Sequence, residues 1–225
     1  MPAFPDPEDR LALEPGCRRC PALCAARNRI CWGVGPRDAP LVVVGEAPAA
    51  GDPTADRWQG GNWTGMAYSG RNSGWKIRSM VEELGYDDAY YTNAVKCFPS
   101  EAIPADAPEA ADRLDRPPHE TSHREPTPEE RANCRPYLLR ELDAVAPACV
   151  LATGKHATGS LLAVEGRTVD GFLDLVLSVQ QCPTLGVPVL PVLHPSYQEV
   201  WISRLGHSYE SYRDAVGEAL AGLGV

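Results

Sequence analysis

Two carboxylates follow a short, strongly apolar segment of the chain. Leu41–Val44 is a run of four apolar residues, and Glu46 and Asp52 come after it in a stretch rich in small residues. An apolar run that is stopped by Gly and Pro predicts a strand buried on both faces. Ligands of open α/β sheets bind at the carboxyl ends of such strands. The two acids are therefore candidate catalytic groups, and the alternative is a solvated turn that leaves a core strand.

Two later apolar segments also end in polar side chains. Asn93 lies at the end of the predicted strand 89–95, and His194 follows the run 187–193. A side-chain amide offers donors and an acceptor in one plane, as reading a nucleobase edge requires, although it could simply cap a turn. His194 precedes Pro195 and the helix-capping residue Ser196, and a nearby helix N-terminus disfavours the imidazolium. A neutral imidazole there could donate a hydrogen bond to a developing anion.

The chain has eight cysteines, and its N-terminal part is rich in them. Cys17 and Cys20 form a C-x-x-C pair, which lets two thiolates bind one metal centre from a single turn. Cys24 and Cys31 follow closely, so these four cysteines could complete a site by themselves. Zinc and an iron–sulfur cluster both fit the pattern, and unrelated buried thiols are the remaining alternative.

Alternating strand and helix patterns place these residues on an α/β framework. Strands are predicted at 41–44, 89–95, 149–154 and 187–193, with the last as an edge or irregular strand because of its prolines, and helices at 75–85, 127–145, 155–164 and 208–222. Residues 1–14 are predicted to be a flexible tail. Residues 15–225 are predicted to form a single domain with an insertion loop at about 98–126.

Composition restricts the possible functions. The chain has 225 residues, 44% of them hydrophobic, and a formal net charge of −9. This acidity argues against general polyanion binding, so contact with a nucleic acid would need a local basic patch. No apolar run approaches the roughly 20 residues that span a bilayer. The N-terminus also lacks an apolar signal core, so we expect a cytoplasmic protein with no membrane association.

Taken together, the motifs resemble the uracil-DNA glycosylase superfamily, with family 4, the iron–sulfur-containing branch, as the closest. The resemblance runs from about Cys17 to Tyr197 and rests on the ordered set of Cys17-x-x-Cys20, Gly45–Pro48, Thr92–Cys97, Cys134–Leu138 and His194-Pro195-Ser196. It implies a three-layer α/β/α fold around a central four-stranded, mainly parallel sheet.

The resemblance also implies a role for each matching residue. A [4Fe–4S] cluster would be bound by four cysteines, namely Cys17, Cys20, Cys97 and Cys134. Cys24 and Cys31 would then be spare thiols. In the nucleobase site, Glu46 and Ala47 belong to the first motif, and Asp52 stands where the family has its catalytic acid. Tyr68 matches the aromatic residue that stacks on uracil, and Asn93 matches the residue that reads the base. His194 matches the histidine that stabilises charge on uracil O2.

The chain departs from the family 4 pattern at several positions. Ala49 stands where Gly is usual, so that Ala49-Ala50 resembles the family 5 motif, and Asp52 is one methylene shorter than the usual Glu. His123 occupies a position where family 4 generally has Asn, and the related X-type branch has a nucleophilic His near there.

We therefore expect a monofunctional DNA repair glycosylase that flips out uracil and hydrolyses its N-glycosidic bond, leaving an abasic site. Its partner would be uracil-containing DNA, with a sliding clamp as a further candidate, and the protein would be a monomer. Three alternatives remain. The chain could be a non-catalytic iron–sulfur DNA-binding homologue, a covalently trapping X-type variant that uses His123, or an unrelated α/β enzyme for small nucleotides with zinc at Cys17–Cys31.

Overall fold

A computed structural model describes residues 2–100 and 123–225, except the side chain of Glu199. Four strands form one sheet, namely β1 (Leu41–Gly45), β2 (Tyr90–Asn93), β3 (Cys149–Thr153) and β4 (Val189–Val192). Their order is β2-β1-β3-β4, and every pairing between them is parallel. The predicted four-stranded parallel sheet is confirmed, and β4 lies at its edge as its prolines predict. In the part of the chain described, no helix is long and apolar enough to span a bilayer.

Eight α-helices accompany the sheet in the described ranges, and four of them are only one or two turns long. They are α1 (Pro21–Ala26), α2 (Gly61–Thr64), α3 (Ser73–Glu83), α4 (Pro128–Val145), α5 (Lys155–Leu162), α6 (Phe172–Leu175), α7 (Gln198–Trp201) and α8 (Tyr209–Ala221). Local chemistry sets the ends of the long ones. The Thr127 side chain and Glu130 form a capping box before α4. After α3, Gly85 adopts a positive φ of 90°, a conformation that favours glycine.

Alternate residues of each strand pack into two separate cores. Val43 and Leu151 point to the side covered by α3 and α8, whereas Val42 and Val150 point to the side covered by α4 and α5. Full burial of both strand faces explains why β1 and β3 are almost continuously apolar. The helix–sheet–helix arrangement confirms the expected three-layer α/β/α fold.

The segment predicted to be a flexible tail makes specific contacts with the rest of the domain. The ring of Phe4 packs edge-to-face on Trp58, with centroids 5.1 Å apart. The carboxylate of Glu14 accepts a 2.6 Å hydrogen bond from the Tyr137 hydroxyl. These contacts place residues 2–14 against the domain surface. Most of the predicted insertion loop, residues 101–122, lies outside the described residues.

Candidate active site

A cavity of about 900 Å³ lies at the carboxyl ends of the four strands. Each strand is followed by residues that line it, which are Glu46 after β1, Asn93 at the end of β2, Gly154 after β3 and His194 after β4. The loop after β1 adds Ala47, Asp52 and Tyr68. All six nucleobase-site residues expected from the sequence therefore border one cavity, because parallel strands bring their ends to the same edge of the sheet.

Glu46 is half-buried at the end of β1. Its backbone oxygen accepts a 2.8 Å hydrogen bond from the Val95 N–H, which ties the two strand ends together. Its Oε1 is buried and has no hydrogen-bond partner among the described residues. Burial is the largest influence on its pKa and raises it, while the nearby side chain of His156 acts in the opposite direction.

Asp52 stands in a turn whose geometry its own carboxylate supports. Its Oδ1 accepts hydrogen bonds from the Thr54 N–H at 2.9 Å and from the Thr54 hydroxyl at 2.7 Å. Its N–H donates to the Gln59 carbonyl oxygen at 2.8 Å. The carboxylate therefore lies at the cavity with a restricted orientation, as a group that positions water must.

Tyr68 is held tightly for a residue on a loop. It has a positive φ of 51°, its hydroxyl is 2.5 Å from the Thr153 Oγ1, and its ring packs edge-to-face against Tyr91 at 5.8 Å between centroids. Burial raises the pKa of the hydroxyl, which keeps it protonated. Gly45 lies directly beside this hydroxyl and beside Oδ1 of Asn93. The ring is therefore fixed next to the amide at the cavity wall.

His194 is neutral, and the ring nitrogen that bears its proton can be assigned. Burial, followed by the nearby His123 and His156, lowers its pKa to about 4. Its Nδ1 accepts a 3.2 Å hydrogen bond from the Ser196 N–H, so the proton of the neutral ring lies on Nε2. The expected neutral state is thus supported, but its cause differs from the expected helix dipole, since α7 has only four residues and begins after Tyr197.

Two more histidines border the cavity beside the expected residues. His123 is exposed, and its ring lies 5.8 Å from that of Phe98. His156 is in the first turn of α5, and its Nε2 lies 3.0 Å from Oε1 of Glu125. Sequence patterns do not assign His156 to the site, because its place inside a predicted helix does not tell which cavity its side chain faces. Thr153, the partner of Tyr68, was also missed, although its place at the end of β3 was a usable signal.

Three of the four cysteines assigned to the cluster share one small apolar core. Cys20, Cys97 and Cys134 pack with Leu23 in this core. Cys17 is linked to the same region, since its Sγ lies 3.4 Å from the oxygen of the Tyr137 hydroxyl. Hydrogen-bond donors also reach two of the other thiols, because Arg27 donates to Cys97 at 3.0 Å and Asn133 to Cys20 at 3.5 Å.

The four neighbouring cysteines suggested by local spacing do not share one core. Cys31 is buried in the large core on the α3 side of the sheet, apart from the core that holds Cys20 and Cys97. Among the described residues, no three His, Cys, Asp or Glu side chains converge closely enough to hold a single metal ion. A four-iron cluster has a different requirement, because each thiolate binds a separate iron atom and the sulfurs are spread around the cluster.

The fold and the cavity define a class of three-layer α/β proteins whose site lies at the carboxyl ends of a parallel sheet. A family model described as the uracil DNA glycosylase superfamily matches residues 32–217, and the chain belongs to this superfamily.

Three relatives illustrate its place in the superfamily. The chain is 28% identical over 207 residues to the Type-4 uracil-DNA glycosylase of Archaeoglobus fulgidus, covering 90% of this chain and 87% of that protein. It is 30% identical over 186 residues to the Type-4 enzyme of Thermotoga maritima, covering 80% and 77%. It is also 29% identical over 238 residues to the Type-5 uracil-DNA glycosylase of Pyrobaculum aerophilum, covering 92% and 89%. The expected resemblance to family 4 with family 5-like features is confirmed.

Proposed function

We propose that this chain is a uracil-DNA glycosylase that removes uracil from DNA by hydrolysis of the N-glycosidic bond. The observation that carries this function is the convergence of a carboxylate, a base-reading amide and a neutral imidazole on one cavity. The relatives are named as uracil-DNA glycosylases, which favours this function over a non-catalytic homologue or a covalently trapping variant that uses His123.

The substrate base must leave the duplex before it can reach the cavity, at a cost of about a few kcal/mol. We assign this step to the exposed apolar side chains that follow His194. Tyr197 and Val200 are 60% and 55% exposed, the highest values among the large hydrophobic residues described. An apolar side chain that enters the base stack takes the place of the flipped nucleotide. The loop after His194 would therefore enter the minor groove.

Asn93 and Tyr68 would bind the flipped base. Uracil presents an N3–H donor beside its O4 acceptor, and the Oδ1 and Nδ2 of Asn93 complement this pair. The aromatic ring of Tyr68 would stack on the base. Cytosine presents an acceptor and a donor at the same two places, so the same amide orientation would reject it.

His194 would stabilise the leaving group. As the bond between C1′ and N1 breaks, its electron pair moves onto the uracil ring, and negative charge develops on O2. The Nε2–H of neutral His194 can donate a hydrogen bond to that oxygen without transferring its proton. One fixed donor of this kind contributes about 3 kcal/mol to transition-state stabilisation.

The acids would act on the sugar side of the bond. The deoxyribose becomes oxocarbenium-like, and a water molecule adds to C1′ and releases one proton to the solvent. The uracil anion takes up one proton from the solvent, so that the products are the abasic sugar and neutral uracil. We assign the positioning of this water and the balancing of the positive charge to Asp52, whose carboxylate is oriented by Thr54. Glu46 would shape the cavity wall, and the backbone of Ala47 would border the base.

We also propose that Cys17, Cys20, Cys97 and Cys134 hold a [4Fe–4S] cluster. The donor set fits, since four thiols are available, Cys97 and Cys134 lie in one apolar core and Cys20 packs against it. When bound, the cluster supplies structural cross-linking, because Cys97 follows β2, Cys134 lies on α4 and the other two belong to the N-terminal segment. The expected monomer, the sliding-clamp partner and the cytoplasmic location stay predictions.

A direct test is uracil release from a labelled oligonucleotide with one deoxyuridine, followed by alkaline cleavage at the abasic site. We expect cleavage by the wild type and none from the same oligonucleotide with thymidine at that position. Each sample is also run on a denaturing gel without alkali. A band of protein joined to DNA would indicate covalent trapping instead of simple hydrolysis, and the absence of any cleavage would contradict the proposed function.

A further inference from the structure

Two buried residues outside the cavity form hydrogen bonds with Asn93. Its Nδ2 donates a hydrogen bond to Sγ of Cys31 at 3.7 Å, and its backbone oxygen accepts one from Nζ of Lys96 at 2.6 Å. We propose that Cys31 and Lys96 are positioning residues that hold the Asn93 amide in the plane that reads the base. This inference rests on the proposed function, in which Asn93 reads uracil.

Cys31 controls the side-chain end of this contact. Its side chain is fully buried, and burial raises the pKa of the thiol to about 12, so the sulfur is neutral at any working pH. The hydrogen bond to Sγ uses one of the two hydrogens on Nδ2. The second hydrogen and the Oδ1 of Asn93 remain for the base edge. Because the amide group is planar, the hydrogen bond to Sγ also restricts the orientation of these two atoms.

Glycines provide the space that this arrangement needs. A Cβ atom at Gly45 would lie 2.5 Å from Oδ1 of Asn93, and one at Gly61 would clash with Sγ of Cys31. The amide and the thiol are therefore each packed against a backbone that carries no side chain. Such close packing leaves little room for rotation about the side-chain bonds of Asn93.

Lys96 controls the main-chain end. Its side chain is 1% exposed. The ammonium group donates to the Asn93 carbonyl oxygen, to the Thr92 hydroxyl at 2.7 Å and to a carboxylate oxygen of Glu141 at 2.5 Å. All three of its hydrogens therefore have partners, and Glu141 balances its charge. The two positioning residues are also joined, since the Cys31 N–H donates to the Lys96 carbonyl oxygen at 2.6 Å.

A preorganised amide binds its base without a loss of side-chain entropy at the moment of binding. The contribution concerns the hydrogen bonds of Asn93 with N3–H and O4 of uracil, which form in the ground state, whereas the charge of the transition state develops on O2. Loss of this hold should therefore raise KM and weaken inhibition by free uracil, with kcat nearly unchanged. A general loosening of the fold would instead lower the concentration of active enzyme.

The deciding experiment compares Cys31→Val with Cys149→Val. Both cysteines are fully buried in the same core, and burial raises the pKa of both thiols. They differ in position, since Cys149 lies within β3 whereas Cys31 contacts the Asn93 amide. We expect Cys31→Val to raise KM and the inhibition constant of free uracil about 5-fold, as the loss of one neutral hydrogen bond implies. Cys31→Ser, which keeps an acceptor, should have a KM closer to that of the wild type. Cys149→Val should have the same KM as the wild type.

Lys96→Met is a second variant with a stronger expected effect. It leaves the Glu141 carboxylate buried without its partner, so we expect a lower unfolding midpoint together with a raised KM. Cys31→Val avoids this complication, because it removes no charge.

Three results would overturn the proposal. Wild-type KM and uracil inhibition in Cys31→Val would remove the positioning role and leave the proposed function intact. An equal rise of KM in Cys31→Val and Cys149→Val would assign the effect to core packing. A wild-type chain that releases no uracil would instead refute the proposed function, and the base-reading role of Asn93 with it.

Discussion

The backbone N–H of Ser196 donates a hydrogen bond to Nδ1 of His194 across 3.2 Å. A ring nitrogen that accepts a hydrogen bond carries no proton, so the proton of the neutral ring is on Nε2. Burial keeps the ring neutral, because it lowers the pKa to about 4. The loop after β4 thereby presents one neutral N–H donor to the cavity, which suits stabilisation of an anion.

Replacement of His194 by Ala should lower kcat by about 10²- to 10³-fold, since the variant loses the donor for the developing charge on uracil O2. Affinity for an uncleaved substrate should change little, because the charge develops only in the transition state. Single-turnover excision and DNA-binding measurements test both statements. His207→Ala is the control, since that ring lies outside the cavity and interacts with Ser211. Equal losses in the two variants would contradict the assigned role.

The same histidine should make the fold less stable in acid. Its pKa is about 4 in the folded chain against an ordinary value of 6.5, so between these values the unfolded chain binds an additional proton. The free energy of unfolding should therefore fall as the pH drops from about 6.5 towards 4. Urea unfolding at several pH values measures this fall. It should be shallower in His194→Gln, and identical slopes would show that other groups cause it.

The roles of Asp52 and Glu46 can be distinguished by replacing each acid with the corresponding amide. Asp52→Asn should lower kcat by about 10²-fold or more, because it removes the negative charge that faces the sugar. Glu46→Gln should have a smaller effect, since Glu46 is assigned to the cavity wall and the amide nearly keeps the shape of the carboxyl group. Asp56→Asn, at an exposed position of the same loop, is the control. A larger loss in Glu46→Gln than in Asp52→Asn would move the role of the acid to Glu46.

Gly45→Ala should damage the site without changing any polar group. The new Cβ would lie 2.5 Å from Oδ1 of Asn93 and 2.6 Å from the Tyr68 hydroxyl, so both side chains must move. We expect excision to fall by about 100-fold, as misplacement of about 1 Å implies. Gly159→Ala provides a matched control on α5, where the nearest atom to the new Cβ is 4.0 Å away. Wild-type activity in Gly45→Ala would contradict the described packing.

The cluster proposal is tested by iron content and thermal unfolding. Cys134→Ser should lose most of the bound iron and lower the unfolding midpoint by about 10 °C or more, because binding free energy of a structural centre adds to folding free energy. Cys182→Ser is the control, since that cysteine is buried in the core on the α4 side of the sheet, away from Cys97. A purified wild-type chain that holds zinc and no iron would reject the cluster.

Patterns that depend on neighbouring residues predicted the framework well. The helix expected at 127–145 is found at Pro128–Val145, because Thr127 and Glu130 cap its start through contacts only three residues apart. The strand around Leu41–Val44 is equally clear, since a strand buried on both faces must be apolar at every position.

Contacts between distant segments could not be derived in this way. Local spacing favours Cys17, Cys20, Cys24 and Cys31 as one site. In the structure, however, Cys31 contacts Asn93 at the end of β2. The alternative set with Cys97 and Cys134 came from the resemblance to family 4, since nothing in the spacing of the cysteines joins residues more than 70 positions apart.

The sequence by itself determined the apolar strands, the capped helices and the polar residues at the ends of three of the four strands, because these depend on side-chain type and short-range spacing. Only the tertiary structure decided which of those residues meet. It brings Thr153 within hydrogen-bond distance of the Tyr68 hydroxyl, and Cys31 within hydrogen-bond distance of the Asn93 amide. The physical reason is that such contacts follow from the order of the strands in the sheet and from close packing between segments far apart in the chain.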